Sequence, residues 1–451
     1  MSDGDWPSRT PASYEELVRA LFPRLTGGVR WGVERTERLL ASVGDPHRRL
    51  ACVHIGGTNG KGSVAATIES SLRAAGLRTG LYTSPHLCSF RERIRIGGEP
   101  VSSDALLAAA ERLWPALERE RPSFFEATTA IAFLVLADAG VDIAIIEVGL
   151  GGRLDATNVI RPHVVGITNV ERDHIELLGN TLEAIAAEKA GILKRGVPAV
   201  TGELEAAALE ALARVALARA APLERLLPEQ LRALTFDLTG TRFRLDSRWW
   251  GSLELATPLI GPHQAWNVAL AVEILALLPE RFRPTPADLS RGVSAVRWAG
   301  RLQVERIGTT TWLFDVAHNP AGMRSLVRTA VALPLPRPLV ALTAVLRDKE
   351  WQPMLAELGA LADRVVLTSA PSMPSERRWD PDAAAELIDP KGAQLGVETD
   401  FACALEQVAA WAEGGTVLVT GSFHTVGDAL ALLGYAPDQL EPDLPLSSRA
   451  V

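Results

Sequence analysis

The seven residues Gly57-Thr58-Asn59-Gly60-Lys61-Gly62-Ser63 constrain this chain more than any other stretch. Ahead of them, Ala51-Cys52-Val53-His54-Ile55 reads as a buried parallel strand, short, apolar and ended by glycines. Behind them, Val64, Ile68, Leu72 and Ala75 recur at helical spacing, with Gly76 as a stop. Strand, glycine turn and helix together form a phosphate cradle. Glycines let backbone N–H groups surround phosphate oxygens, the helix N-terminus adds positive potential, and Lys61 supplies a full charge. The strict P-loop pattern has Ser or Thr directly after the lysine; here Gly62 intervenes, so the turn is a variant.

The same alternation recurs along the chain. Strands are expected at Thr79–Thr83, Asp142–Ile146 (ending in Glu147) and Val164–Thr168. Helices are expected within 12–44 (broken at Gly27-Gly28, with Leu17, Val33, Leu39 and Leu40 as core), at Ser103–Glu120 and over 126–139. A further helix is expected from an Asn180 cap, with Glu183 three residues on, to about Lys194, and another over 203–221. Residues 236–255 read as a short antiparallel appendage, and Gly261-Pro262 opens another apolar helix. Beyond Arg297-Trp298-Ala299-Gly300-Arg301, strand-like runs at 312–317, 339–345, 365–369 and 416–420 are each followed by a helical pattern. Repeated strand–helix units imply α/β architecture with a parallel, doubly wound sheet.

At 451 residues the chain exceeds one ordinary core, so two domains are expected, 1–297 and 303–451 joined by a hinge at 298–302. A net charge of −8 argues against nonspecific nucleic-acid binding. Cys52, Cys88 and Cys403 show no metal or redox spacing, which suits a reducing compartment. The N-terminus is polar and acidic, and the longest apolar reach, 131–146, is broken by Asp138, Gly140 and Asp142. No membrane partner and a cytoplasmic location are therefore expected.

In an open parallel sheet, ligands bind at the carboxyl ends of the strands. The polar residues there are the cradle, Ser84, Glu147, Asn169, Asp173, His174 and Asp315. A glutamate ending an apolar strand beside a phosphate cradle suits Mg²⁺, a hard ion that takes few protein ligands. Asp315-Val316-Ala317-His318-Asn319-Pro320 is a strand end running into a helix, with Asn319 as cap and Pro320 at the first helical position; Gly421-Ser422-Phe423-His424-Thr425 repeats that design. Two α/β domains with polar strand ends suggest a nucleotide held between them.

Taken together, these motifs resemble folylpolyglutamate synthase and dihydrofolate synthase, the folate branch of the Mur ligase superfamily. The resemblance rests on Trp31–Arg35, the cradle, Thr83-Ser84-Pro85-His86-Leu87, the run Glu147–Asn158, Asp173-His174, Ala187-Glu188-Lys189-Ala190-Gly191, Gly300-Arg301, Asp315–Pro320 and Gly421–Val426. It implies a P-loop-containing parallel-sheet ATP-binding domain followed by a smaller Rossmann-like α/β domain; a monomer is expected. It further implies that Gly60, Lys61, Gly62, Ser63, Asn267, Arg301 and Asp315 bind ATP, and that Ser84, Glu147 and His174 ligate Mg²⁺, with a second ion near a carbamylated Lys189. Ser123 and Asp155 fall where the pterin is contacted, and His318 and Ser422 lie near the incoming glutamate. Lys61, Lys189 and His318 would carry the catalysis. Ala299 departs from the proline that many relatives carry before the Gly-Arg pair.

The implied reaction joins the carboxylate of dihydropteroate or tetrahydrofolate to L-glutamate through an acyl phosphate at the expense of ATP. Such phosphoryl transfer needs positioning and charge neutralisation rather than a protein nucleophile. A bifunctional enzyme is expected. A monofunctional folylpolyglutamate synthase, a cell-wall Mur ligase and a non-catalytic P-loop binding module are the alternatives.

Overall fold

A computed structural model describes residues 6, 9–22, 32–388 and 392–443 of the chain; the expected break at Gly27-Gly28 and the motif residue Trp31 lie outside them. In chain order the first eight strands are Cys52–Gly56 (β1), Thr79–Tyr82 (β2), Ile94–Ile96 (β3), Glu99–Pro100 (β4), Ile143–Glu147 (β5), Val164–Ile167 (β6), Ala199–Thr201 (β7) and Leu223–Arg225 (β8). They pair in the order β4-β3-β2-β5-β1-β6-β7-β8. From β2 to β8 every pairing is parallel. At one edge β3 and β4 run antiparallel and extend the expected parallel sheet. Their link is Gly97-Gly98, both at positive φ, and so short a connection can only turn the chain back on itself.

Central strands β1 and β5 are buried throughout because helices cover both faces of the sheet. Alternate residues serve opposite layers: Val53, Ile55, Ile143 and Ile145 pack toward the helix Lys61–Ala74 and the helix Pro262–Ala276, whereas Cys52, Ala144 and Ile146 pack toward Ser103–Glu120 and Phe124–Asp138. Among the described residues no helix is long and apolar enough to cross a membrane.

Two helix boundaries differ from expectation. The cap proposed at Asn180 is Thr181, whose hydroxyl accepts from the Ala184 N–H at 3.2 Å. That helix is α-helical only to Lys189 and tightens into a 3-10 turn at Ala190–Ile192. The tightening seats Gly191 against the backbone of Arg153, where any Cβ would collide. The appendage is a three-stranded antiparallel meander of Leu231–Asp237 (β9), Gly240–Ser247 (β10) and Gly251–Thr257 (β11).

The second sheet contains Gln303–Ile307 (β12), Thr310–Phe314 (β13), Leu339–Thr343 (β14), Arg364–Leu367 (β15), Gln394–Val397 (β16) and Thr416–Thr420 (β17), in the order β12-β13-β17-β14-β15-β16. The four expected runs are its interior strands, buried on both faces apart from Arg364. Edge strands β12 and β16 are only partly covered, so they carry mixed polar and apolar residues and lack the continuous apolar signature. Chain reversal between the sheets uses Gly300 at φ +67° and Leu302 at φ +48°. The carboxyl ends of β1, β5 and β6 thereby face those of β13, β14 and β17 across a cleft of about 1670 Å³.

Candidate active site

The glycine turn forms the floor of this cleft. Its path is pinned from the adjacent strand end: Thr58 N–H donates to the Asn169 carbonyl and Asn59 N–H to Asn169 Oδ1, both at 2.9 Å, while Thr168 Oγ1 donates to the Asn59 carbonyl at 2.6 Å. Gly60, at φ +81°, begins the helix, and a Cβ there would come within 2.5 Å of Asn267 Oδ1. A Cβ at Gly62 would lie 2.8 Å from Trp298 Nε1. Close neighbours thus require both glycines, and at Gly60 the left-handed backbone does so as well. Lys61 Nζ donates to the Thr58 carbonyl at 3.0 Å, which folds the ammonium over the turn. Ser63 Oγ is buried and has no hydrogen-bond partner.

Three groups stand beside the turn. Glu147, 4% exposed at the end of β5, accepts the Ser84 N–H at 3.1 Å. Burial raises its pKa against the opposing pull of Lys61. Lys189, also 4% exposed, donates Nζ–H to the Gly57 carbonyl at 2.9 Å, and burial, with Lys61 second, lowers its pKa to about 7. Asp155 caps the 3-10 turn Ala156–Val159; its carboxylate accepts from Leu150 N–H, Thr157 N–H and the Thr157 hydroxyl. Thr157 Oγ1 in turn sits 2.9 Å from Nε2 of the buried His54.

The second lobe contributes Arg301, Asp315, His318 and Ser422. Asp315 accepts the Leu302 and Ala317 N–H groups at 2.8 and 2.9 Å; burial raises its pKa, and Arg301 opposes that rise. Arg301 lies over the Phe423 ring, 5.1 Å from its centroid. His318 Nδ1 is 2.9 Å from the Val316 carbonyl, which can only accept, so Nδ1 carries the hydrogen and Nε2 is left bare toward Asp173 at 3.8 Å. Burial lowers His318 to about 4. Ser422 Oγ accepts from Thr425 N–H at 3.1 Å and so caps the last helix. Asn319 caps its helix as expected, bonding Gly322 N–H at 2.8 Å.

His174 occupies the left-handed region at φ +52°, a consequence of the turn that brings Asp173 and His174 to the cleft. Burial, then Lys349, lowers its pKa to about 4, leaving a neutral imidazole able to ligate a metal. Ser123 caps the helix Phe124–Asp138 and shares a capping box with Glu126, whose carboxylate Arg35 binds through both oxygens at 2.7 and 2.9 Å. All the residues expected to bind ATP, metal, acid or amine line this one cleft.

Phosphate and Mg²⁺ fit this donor set. The orphaned Ser63 hydroxyl at a helix N-terminus, and glycines whose Cβ positions are filled by neighbours, are what a nucleotide phosphate requires. Among the described residues no three His, Cys, Asp or Glu form a metal cluster. Ser84, Glu147 and His174, the residues expected to ligate Mg²⁺, all line the cleft.

Known proteins match this geometry. The description "Mur ligase middle domain" covers residues 55–275 and "Mur ligase, glutamate ligase domain" covers 300–423. Folylpolyglutamate synthase of Lacticaseibacillus casei is 36% identical over 428 residues, spanning 91% of this chain and 96% of its own. The chain belongs to the folylpolyglutamate synthase/dihydrofolate synthase family. Dihydrofolate synthase/folylpolyglutamate synthase of Bacillus subtilis, 32% identical, is another relative, covering 92% of this chain and 98% of its own length. Among solved structures, Mycobacterium tuberculosis folylpolyglutamate synthase complexed with ADP superposes with a TM-score of 0.86 at 32% identity, over 96% of this chain and 99% of that one. Escherichia coli FolC in complex with DHPP and ADP gives 0.83 at 30%, over 94% and 98%.

Within this family member, two cleft features escaped sequence reasoning. Lys349, in the loop after β14, reaches across to the first lobe with Nζ 2.6 Å from Asp173 Oδ1. Arg347-Asp348-Lys349 does follow a strand-end rule already applied elsewhere; what hid it was two intervening apolar residues after Ala344. Arg93 is the second. It follows the Ser-Pro-His loop on β3's approach, in an edge hairpin that gave no apolar run.

Proposed function

We propose that this chain is an ATP-dependent ligase that forms an amide between the carboxylate of a folate or pteroate and the amine of L-glutamate. The observation that carries this reading is the unpartnered Ser63 hydroxyl under a glycine turn, facing Arg301 and Asp315 from the other lobe across a single cleft. Gly60, Lys61, Gly62 and Ser63 bind the nucleotide phosphates. Asn267, Arg301 and Asp315 complete the nucleotide site; Ser84, Glu147 and His174 would hold Mg²⁺, and a carbamylated Lys189 would hold a second ion. When bound, the ions neutralise phosphate charge and align the attacking and leaving oxygens.

The acid lies along Ser123 and Asp155, whose carboxylate suits the N–H edge of a pterin. Its own carboxylate attacks the γ-phosphorus of ATP, ADP leaves, and an acyl phosphate forms. Lys61 and Arg301 stabilise the charge that builds on the transferred group. Glutamate then binds near His318 and Ser422. Its amine attacks the acyl carbon and phosphate departs. The bare, neutral Nε2 of His318 accepts the proton that the amine must lose.

The division into an ATP-binding domain at 1–297, a hinge at 298–302 and a glutamate-ligase domain at 303–451 belongs to the same proposal. So do a monomeric state, a cytoplasmic location and action on dihydropteroate as well as tetrahydrofolate; names such as dihydrofolate synthase/folylpolyglutamate synthase among the relatives support the bifunctional reading. The test is ADP release with ATP, Mg²⁺, glutamate and each pterin acid in turn. Release that requires both acid and glutamate supports the ligase; release indifferent to them leaves a nucleotide-binding module instead.

A further inference from the structure

Arg93 is a buried cation of the cleft with no ion-pair partner among the described residues. Arg93 is 6% exposed yet lines the cleft wall beside Ser84, Ser123 and Phe124. Nε donates to His86 Nδ1 at 2.8 Å, and the guanidinium lies 5.1 and 5.9 Å from the ring centroids of Phe124 and Phe90. The nearby carboxylates are engaged elsewhere. Glu92 accepts the N–H groups of Leu87, Cys88 and Ser89, Asp443 is bonded to Tyr14, Ser89 and Phe90, and Glu147 takes the Ser84 N–H. Among the described residues no carboxylate lies within ion-pair distance of Arg93, whereas Lys349 is paired with Asp173 at 2.6 Å. A guanidinium held between aromatic faces with its outer nitrogens unbonded is an anion site that the fold itself leaves open.

We propose that Arg93 binds the non-reacting α-carboxylate of a glutamylated pterin acid and so favours acids that already carry a glutamyl tail. This rests on the ligase reading above. The reacting carboxylate has to keep its electron density to attack phosphorus, and a two-pronged guanidinium would withdraw it. The α-carboxylate stays anionic through the whole reaction, which suits a cation that is never neutralised by the fold. A pteroate has no such group, so it leaves Arg93 without a partner.

Dihydropteroate and dihydrofolate differ only in the glutamyl group, and their affinities are measured for the native protein, Arg93→Gln and Arg93→Lys in the presence of a nonhydrolysable ATP analogue. Arg93→Gln should weaken dihydrofolate by at least about tenfold and dihydropteroate by less than about threefold, with Arg93→Lys between, as expected for loss of one desolvated charge pair. Unchanged affinity for the ATP analogue and an unchanged melting temperature separate this from general disruption. Equal weakening of both acids, or of neither, overturns the assignment. If the native protein binds neither acid, the ligase reading itself falls; if it binds both and the variants do not discriminate, only the role of Arg93 falls.

Discussion

The site is built from residues whose charge states the fold holds away from their ordinary values. Lys189 is the clearest case: burial, with Lys61 beside it, brings its pKa from 10.5 to about 7. Below pH 7 the folded protein must bury an ammonium, and stability gains from this group as pH rises from about 7 to 10.5, because there the unfolded chain binds more protons. The same shift supplies a neutral amine near neutrality, which is the form that reacts with CO₂. Turnover should therefore rise between pH 6 and 8 and respond to added bicarbonate; Lys189→Met should lose the bicarbonate response and at least about a hundredfold of turnover, as for loss of a group acting in the transition state. A bicarbonate-independent rate in the native protein would remove the carbamate from the mechanism. Glu147 shows the opposite sign. Burial raises its pKa, so the ionised carboxylate is a cost that grows as pH rises above its unfolded value. Glu147→Gln keeps an acceptor for the Ser84 N–H and removes that cost. Its melting temperature at pH 7 should equal or exceed the native one while turnover falls by about a hundredfold or more, a stability–activity trade visible in calorimetry beside a steady-state assay.

At the scale of elements, the glycine turn is a junction where a strand end, a helix start and two distant residues meet. Gly60→Ala meets both a positive φ and the Asn267 side chain, and should cost about 1–3 kcal/mol of stability as well as nucleotide affinity. Gly62→Ala meets only the Trp298 indole, so denaturation should show a smaller loss, with the defect appearing instead as a raised KM for ATP. Equal stability losses would mean that Trp298 cannot yield. Elements of this sort were readable from the chain because chemistry and pattern coincide there: buried β1 and β5, the Asn319 cap and the Ser103–Glu120 helix follow from apolar period and cap residues alone. The resemblance then added roles that no pattern contains, such as those expected of Asn267 and Ser123. What stayed hidden was set by partners distant in sequence. Strands β12 and β16 gain their shape from one neighbour each, the cap fell on Thr181, whose hydroxyl reaches Ala184 N–H, and Arg93 became a cleft residue only when an edge hairpin folded beside β2.

At the scale of the whole molecule, one junction beside the cleft ties the two lobes together. Asp173, on the loop after β6, gathers groups from the other lobe: Lys349 Nζ at 2.6 Å, Asn319 Nδ2 at 3.1 Å and His318 Nε2 at 3.8 Å. Asn319 Nδ2 also donates to Asn59 Oδ1 of the glycine turn at 3.0 Å, so this junction touches both the nucleotide floor and the proposed glutamate wall. Burial alone would raise the pKa of Asp173, but Lys349, His174 and His318 together hold it well below the usual carboxylate range. The stability this contributes is present above the unfolded pKa and is lost only as pH falls below it, so the junction stays charged across neutral pH. With only 8% of the Lys349 side chain exposed, removing that partner leaves a desolvated carboxylate behind, a change that costs about 3–5 kcal/mol when nothing relaxes. That cost falls if the lobes part and let water in. Lys349→Met should accordingly cost far less in melting temperature than a buried pair normally does, while raising the radius of gyration in X-ray scattering and the KM for glutamate more than that for ATP. Asp173→Asn should enlarge the molecule in the same way, since an amide cannot pair with the ammonium. A variant that melts early yet scatters like the native protein would show that the pair braces one lobe locally rather than setting the distance between them.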